Sequence, residues 1–220
     1  MDVGMNISII TKTLPAGVRL VAVSKTKPPE VIMKAYHAGH KIFGENKVQE
    51  LVQKQMELPS DIEWHFIGHL QTNKVKYIAP FISLIHGIDS FKILKEVNKE
   101  GRKNNRVIPC LLQFHIAREE TKFGFSEEEA REMLSSETFG TMKNIIIAGV
   151  MGMATFTDDH NLVRNEFRLL KYIFDVFKRD YFSGSREFRE ISMGMSDDYT
   201  IAVEEGSTMV RIGSKIFGSR

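Results

Sequence analysis

Cysteine is the scarcest reactive residue in this chain, with Cys110 the one thiol among 220 residues. That excludes an intrachain disulfide and any cysteine-based metal cluster. Cys110 falls in an apolar run from Val107 to Leu112, which suits a small buried core residue. Apolar runs long enough to span a bilayer are also missing, and the N-terminus has no signal-peptide pattern, so the expectation is a cytoplasmic protein. An excess of one charge is missing too. The formal net charge of +2 gives no electrostatic footprint for nucleic acid or a membrane surface. No linker, repeat, low-complexity tract or glycine-rich dinucleotide turn is present. What remains is an ordinary globular composition, 42% apolar and 26% charged. The length suits one large domain or two small ones.

The chain is organised around the stretch from Leu20 to Pro29. Residues 18–23 are apolar apart from Arg19, as in a strand buried on both faces of a parallel sheet. Pro28 and Pro29 suit the first turn of a helix. Lys25 therefore sits where a buried strand gives way to a loop. It reads either as a solvated charge closing the strand or as a partly desolvated amine able to form a Schiff base.

Seven further strands follow, at residues 41–43, 62–67, 81–86, 107–115, 144–150, 188–192 and 209–212. Helices are expected between them at 28–38, 48–56 and 70–78, then after Ser90 and after the capping-box pattern at Ser126. The longest spans 160–178, with Val163, Phe167, Leu170, Phe174 and Phe177 at helical spacing. A short one, capped by Ser196-Asp197-Asp198, runs through Ile201 and Ala202 to end at Gly206, and an amphipathic piece at 6–13 precedes the first strand. Eight strands alternating with helices predict an α/β fold, a single (β/α)8 TIM barrel over residues 1–220.

Barrels of this kind do their chemistry at the C-terminal strand ends. Lys25, Asn46 and His69 follow strands one, two and three, and Met151 and Met153 follow strand six. Ser192, Met195 and Ser196 follow strand seven, and Arg211, Gly213 and Ser214 close strand eight. Glycine and serine in the last two turns suit an anion, with Ser196 opening a helix towards it, although either turn alone is equally an ordinary turn. An amine on one side and a phosphate site on the other would hold the two ends of pyridoxal 5′-phosphate (PLP). His65 and His69 lie on a strand, where a spacing of four does not return to one place, so a metal is not expected. Asp158, Asp159 and His160 read as a helix N-terminus, and Lys47, Lys54, Lys74 and Lys76 as solvated faces.

Five segments carry a resemblance. Val21-Ala22-Val23-Ser24-Lys25-Thr26-Lys27-Pro28, Phe43-Gly44-Glu45-Asn46, Trp64-His65-Phe66-Ile67-Gly68-His69-Leu70-Gln71-Thr72-Asn73-Lys74, Ser192-Met193-Gly194-Met195-Ser196-Asp197-Asp198 and Val210-Arg211-Ile212-Gly213-Ser214-Lys215-Ile216-Phe217-Gly218 resemble the YggS/PROSC family of pyridoxal phosphate homeostasis proteins. The match runs in order along nearly the whole chain. It implies a barrel like the alanine racemase N-terminal domain, with PLP held as an aldimine on Lys25 and its phosphate on the Ser192–Ser196 turn, Gly213 and Ser214. It places Arg211 at the pyridine nitrogen, Asn46 and His69 around the ring, and Lys122 in the loop after strand five. The segment from Val150 to Phe156 departs from the family pattern, as does the short stretch before strand one.

An arginine at the pyridine nitrogen disfavours its protonation and weakens the ring as an electron sink. Racemases of similar fold take a second base from an extra C-terminal β-domain, and this chain ends a few residues after strand eight. The expectation is therefore a monomeric PLP carrier without turnover, serving PLP-dependent apoenzymes. A small amino-acid racemase is the alternative, and a barrel enzyme acting on a phosphorylated metabolite the third reading.

Overall fold

Strand residues alternate between two sides, and here both sides carry apolar residues, for different reasons. The computed structural model describes residues 2–119 and 123–218. Eight parallel strands close in sequence order into a barrel, with the last pairing back onto the first. They are β1 (Arg19–Val23), β2 (Ile42–Glu45), β3 (Glu63–Phe66), β4 (Leu84–Ile88), β5 (Ile108–Gln113), β6 (Ile145–Met151), β7 (Glu190–Ser192) and β8 (Met209–Ile212). Leu20, Ala22, Trp64, Phe66, Cys110, Leu112, Val210 and Ile212 face outwards into the core beneath the helices. Val21, Leu84, Leu111, Ala148, Met151 and Met209 form a separate cluster inside the barrel. The helices are α1 (Val3–Thr13), α2 (Pro29–His37), α3 (Val48–Glu57), α4 (Val75–Ile78), α5 (Phe91–Lys103), α6 (Glu127–Ser135), α7 (Glu137–Gly140), α8 (His160–Asp180), α9 (Tyr199–Glu204) and α10 (Ser214–Phe217).

The long helix α8 buries Val163, Phe167, Leu170 and Phe177, while half-buried Phe174 stacks on Phe188 at 4.9 Å. Each fully buried phenylalanine is worth about 1.5–3 kcal/mol relative to exposure. The expected capping box opens α6, with Ser126 accepting from the Glu129 N–H and Glu129 accepting from the Ser126 N–H. Helix α1 packs against α2 and α10, and Asn6 Nδ2 donates to the Ile216 carbonyl at 2.9 Å.

Helix α1 starts three residues earlier than expected, and three later elements also differ. The fourth strand starts later, because the N–H groups of Phe81 and Ile82 still close the preceding turn onto the Ile78 carbonyl. The helix expected at 70–78 is a 3-10 turn, Thr72–Lys74, followed by the single turn of α4. The one after strand seven starts at Tyr199, so Ser196 lies ahead of the helix rather than at its cap.

Candidate functional site

A cavity of about 1030 Å³ opens at the C-terminal ends of the strands. Its wall follows from strand parity. Val21 faces inwards, so Val23 and Lys25 continue on that side, as do Gly44 in β2, Asn46 just beyond it, and Ile67 and His69 after His65. Lys25, Asn46, His69, Met195, Ser196, Arg211, Gly213 and Ser214 all line the cavity. Met151 and Ser192 do not reach it. Met151 packs below it in the inner cluster, and Met153, two residues on, takes the wall position. Ser192 is fully buried and accepts a hydrogen bond from Arg211 Nη1 at 2.5 Å.

Both neighbours of Lys25 are pinned. Ser24 Oγ donates to Glu45 Oε1 at 2.6 Å, and the Thr26 N–H donates to Glu50 Oε1 at 2.6 Å. Thr26 has a φ of 66°, a left-handed conformation that a β-branched residue adopts only when held there. Lys54 joins the two bonds. Its ammonium donates to the Ser24 carbonyl (2.8 Å), Glu45 Oε1 (2.7 Å) and Glu50 Oε1 (2.7 Å). Lys54 is thus buried, contrary to the solvated face expected of it. Its i,i+4 spacing from Glu50 looks like an ordinary surface pair in sequence. Packing of α3 against the end of β1 makes it an interior one. Burial pushes the Glu45 carboxyl above its usual range, against the pull of Lys54, and Glu45 Oε2 is buried without a hydrogen-bond partner. Of the other three lysines, Lys47 and Lys76 are exposed, and half-buried Lys74 lies over the Tyr77 ring.

Strand β8 pairs with β1 so that Arg211 lies opposite Val21, two inward-facing positions below Lys25. Arg211 Nη2 donates to the Gly152 carbonyl at 3.1 Å. Burial lowers its pKa to about 10, with the Asp198 charge acting the other way, so the guanidinium stays charged at neutral pH. Beside it the two expected anion turns are joined. The Gly213 N–H donates to Ser196 Oγ at 3.3 Å, which leaves the Ser196 hydroxyl proton for another acceptor. The first turn is fixed by Asp198, whose Oδ1 accepts from the Met195 N–H at 2.5 Å. Gly194, at φ 92°, packs so tightly that a Cβ would lie 2.6 Å from that of Ala202.

The opposite wall is more exposed. His69 Nδ1 is 2.7 Å from Asp89 Oδ2, and its ring stacks on Phe123 at 3.9 Å. Asp159 caps α8 as expected, but Asp158 and His160 line the cavity. Glu166 anchors this edge by accepting from the N–H and hydroxyl of Thr155 at 2.6 and 2.7 Å. Gln113 was missed in the sequence. It ends β5 on the inward parity and donates to the Phe123 carbonyl at 2.8 Å. Only the strand register reveals it. Lys122 lies outside the described residues. Among the described residues no group of His, Cys, Asp and Glu is arranged to hold a metal ion, and no helix is long and apolar enough to cross a membrane.

The site therefore offers an amine at one edge, a charged guanidinium below, and hydroxyl and glycine donors at the adjoining turn. Comparison with known proteins gives the family. The family described as "Alanine racemase, N-terminal domain" matches residues 3–220. A pyridoxal phosphate homeostasis protein of Aquifex aeolicus is 41% identical over 92% of this chain and 87% of its own length. One from Vibrio alginolyticus is 38% identical over 94% and 88%. PipY of Synechococcus elongatus, solved without PLP, superposes with a TM-score of 0.92 at 30% identity, covering 98% of this chain and all of PipY, and its PLP-bound structure superposes at 0.88. Alanine racemase of Clostridium difficile shares the fold alone, with a TM-score of 0.79 at 12% identity over 56% of that enzyme. On sequence and on fold, the chain belongs to the family of pyridoxal phosphate homeostasis proteins, built on the alanine racemase N-terminal domain.

Proposed function

We propose that this protein holds PLP at the barrel mouth, with Lys25 as covalent anchor, and releases it to PLP-dependent apoenzymes of the cytoplasm without turning over a substrate. The observation that carries this reading is the convergence of Lys25, Arg211, Ser196, Gly213 and Ser214 across the β1–β8 seam. The names of the relatives and the PLP-bound PipY structure support the choice of ligand. The donor set fits it: an amine for the aldehyde, hydroxyl and backbone donors for the phosphate, and a donor-only guanidinium for the ring nitrogen. Bound there, the group supplies an electrophilic aldehyde and a conjugated ring.

The chain's own residues then divide the work. Lys54, Glu45 and Glu50 fix the backbone on either side of Lys25. Arg211, charged beside the ring nitrogen, opposes its protonation and so limits carbanion chemistry. Asn46 and His69 bound the ring, and Ser196, Gly213 and Ser214 take the phosphate.

The test is the visible absorption of the purified chain with PLP, before and after borohydride, with mass analysis of the labelled peptide. A visible band whose reduction fixes the label on Lys25, and which Lys25→Ala abolishes, is the expected result. No band and no label would overturn the reading. A chiral assay with L-alanine should show no enzymatic racemisation, and turnover at about 1 s⁻¹ or faster, an enzyme's ordinary range, would put the racemase first.

A further inference from the structure

Beneath Arg211 the barrel interior holds polar groups that the proposed site does not touch. Arg211 Nη1 donates to Ser192 Oγ at 2.5 Å, and Ser192 Oγ lies 2.9 Å from His86 Nδ1. His86 Nε2 in turn lies 3.0 Å from His65 Nδ1. All four side chains are buried, and they come from β8, β7, β4 and β3, so the chain crosses the lumen. Its far end, His65, also lines a second cavity of about 330 Å³ with Arg19, Arg189 and Glu190.

The first bond fixes the direction of all the others. A guanidinium has donors only, so Ser192 Oγ accepts from it. The serine hydroxyl has one proton, and His86 Nδ1 is its only partner among the described residues besides Arg211. A protonated Nδ1 would leave that hydroxyl buried without an acceptor, which native interiors avoid. Nδ1 therefore accepts, the His86 proton resides on Nε2, and it is donated to His65 Nδ1. The proton of His65 then resides on its own Nε2. Both rings are neutral, and every bond points away from the cavity.

We propose that Ser192, His86 and His65 are positioning residues: a one-directional hydrogen-bond chain through the barrel that holds Arg211 in a single orientation, with its remaining N–H groups turned to the cavity. A proton conduit is excluded by the same chemistry, because the chain begins at a group that gives up no proton near neutral pH. The orientation stands on the barrel alone. Only the identity of the ligand rests on the reading above.

The test begins on the unliganded protein labelled with 15N-histidine, its His65 and His86 signals assigned with His65→Asn and His86→Asn. Both rings should appear as neutral Nε2–H tautomers at pH 7. An Nδ1–H tautomer or a charged ring at either position would overturn the proposal. The second measurement is PLP affinity. His86→Leu, which offers Ser192 no acceptor, should weaken binding about tenfold, the scale of one hydrogen bond to a charged group. His86→Asn, whose amide oxygen can replace Nδ1, should stay within about threefold. Equal losses in the two variants would reduce His86 to a packing residue and overturn the proposal. Should His86→Leu fail to fold, Ser192→Ala provides the same contrast by removing the acceptor of Arg211, with the tenfold loss again expected and wild-type affinity counting against it. A wild-type chain that binds no PLP would sink the proposed function and leave the tautomer result standing, so the two failures are distinct.

Discussion

Lys54 places all three of its ammonium protons on acceptors inside the wall behind Lys25. Removing it strands the Glu45 carboxylate in a buried site without its cation. Lys54→Met is expected to cost about 3–5 kcal/mol, read as a lower urea midpoint at unchanged slope. Lys54→Met combined with Glu45→Gln should recover part of that loss, because the two side chains form one network. A Lys54→Met loss below about 1 kcal/mol would make the pair incidental. Arg211→Lys offers a second residue-scale test. A lysine cannot reproduce the fork that reaches Ser192 and Gly152 together, so PLP affinity should fall in a titration despite the conserved charge. Lys25, Asn46 and Arg211 are legible in sequence because a polar residue at the end of an apolar strand stands out. Lys54 and Gln113 are not, since their placement depends on helix packing and on which side of a strand faces in.

Among the elements, β6 shows what the strand pattern conceals. Its register against β5 shifts between Cys110 and Leu111, opposite Gly149. Gly149 has a φ of 151°, and a Cβ there would lie 1.9 Å from the Glu190 carbonyl oxygen. Gly149→Ala should therefore destabilise by roughly 3 kcal/mol or more, seen in chemical denaturation, because backbone rather than a flexible side chain must move. Tolerance of the change would mean that β6 and β7 can separate. Ser126→Ala is the milder case, expected to cost about 1 kcal/mol through loss of the α6 cap. The capping box could be read from four residues, since capping is local. The shift in β6 could not, because it answers to a neighbouring strand far along the chain. The short helices α7 and α10 lack the length for a periodic signal and were invisible for that reason.

For the molecule as a whole, the buried histidines set a pH dependence. Burial lowers the His65 pKa to about 3 and holds His86 well below its usual value, with neighbouring positive groups adding to both. In the unfolded chain each returns to about 6.5. Between those values the unfolded state binds protons that the folded state does not, so stability falls on acidification, by up to about 1.4 kcal/mol per pH unit for each ring. Urea midpoints should be level above pH 7 and decline below pH 6, with His86→Asn declining less steeply. Equal slopes for the variant and the wild type would remove His86 from the account. The alternation of eight strands and helices was enough to give the barrel in outline, but not the polar chain through its lumen. One consequence of the closing seam concerns how the protein is made. Lys25 leaves the ribosome before β2 to β8, while Arg211, Gly213 and Ser214 follow the other seven strands, and β1 meets β8 only when all the intervening strands are in place. A contact of such long range forms late in folding. The ligand pocket thus does not exist in any partly synthesised chain, and capture of a ligand there would both report a finished barrel and lock it shut.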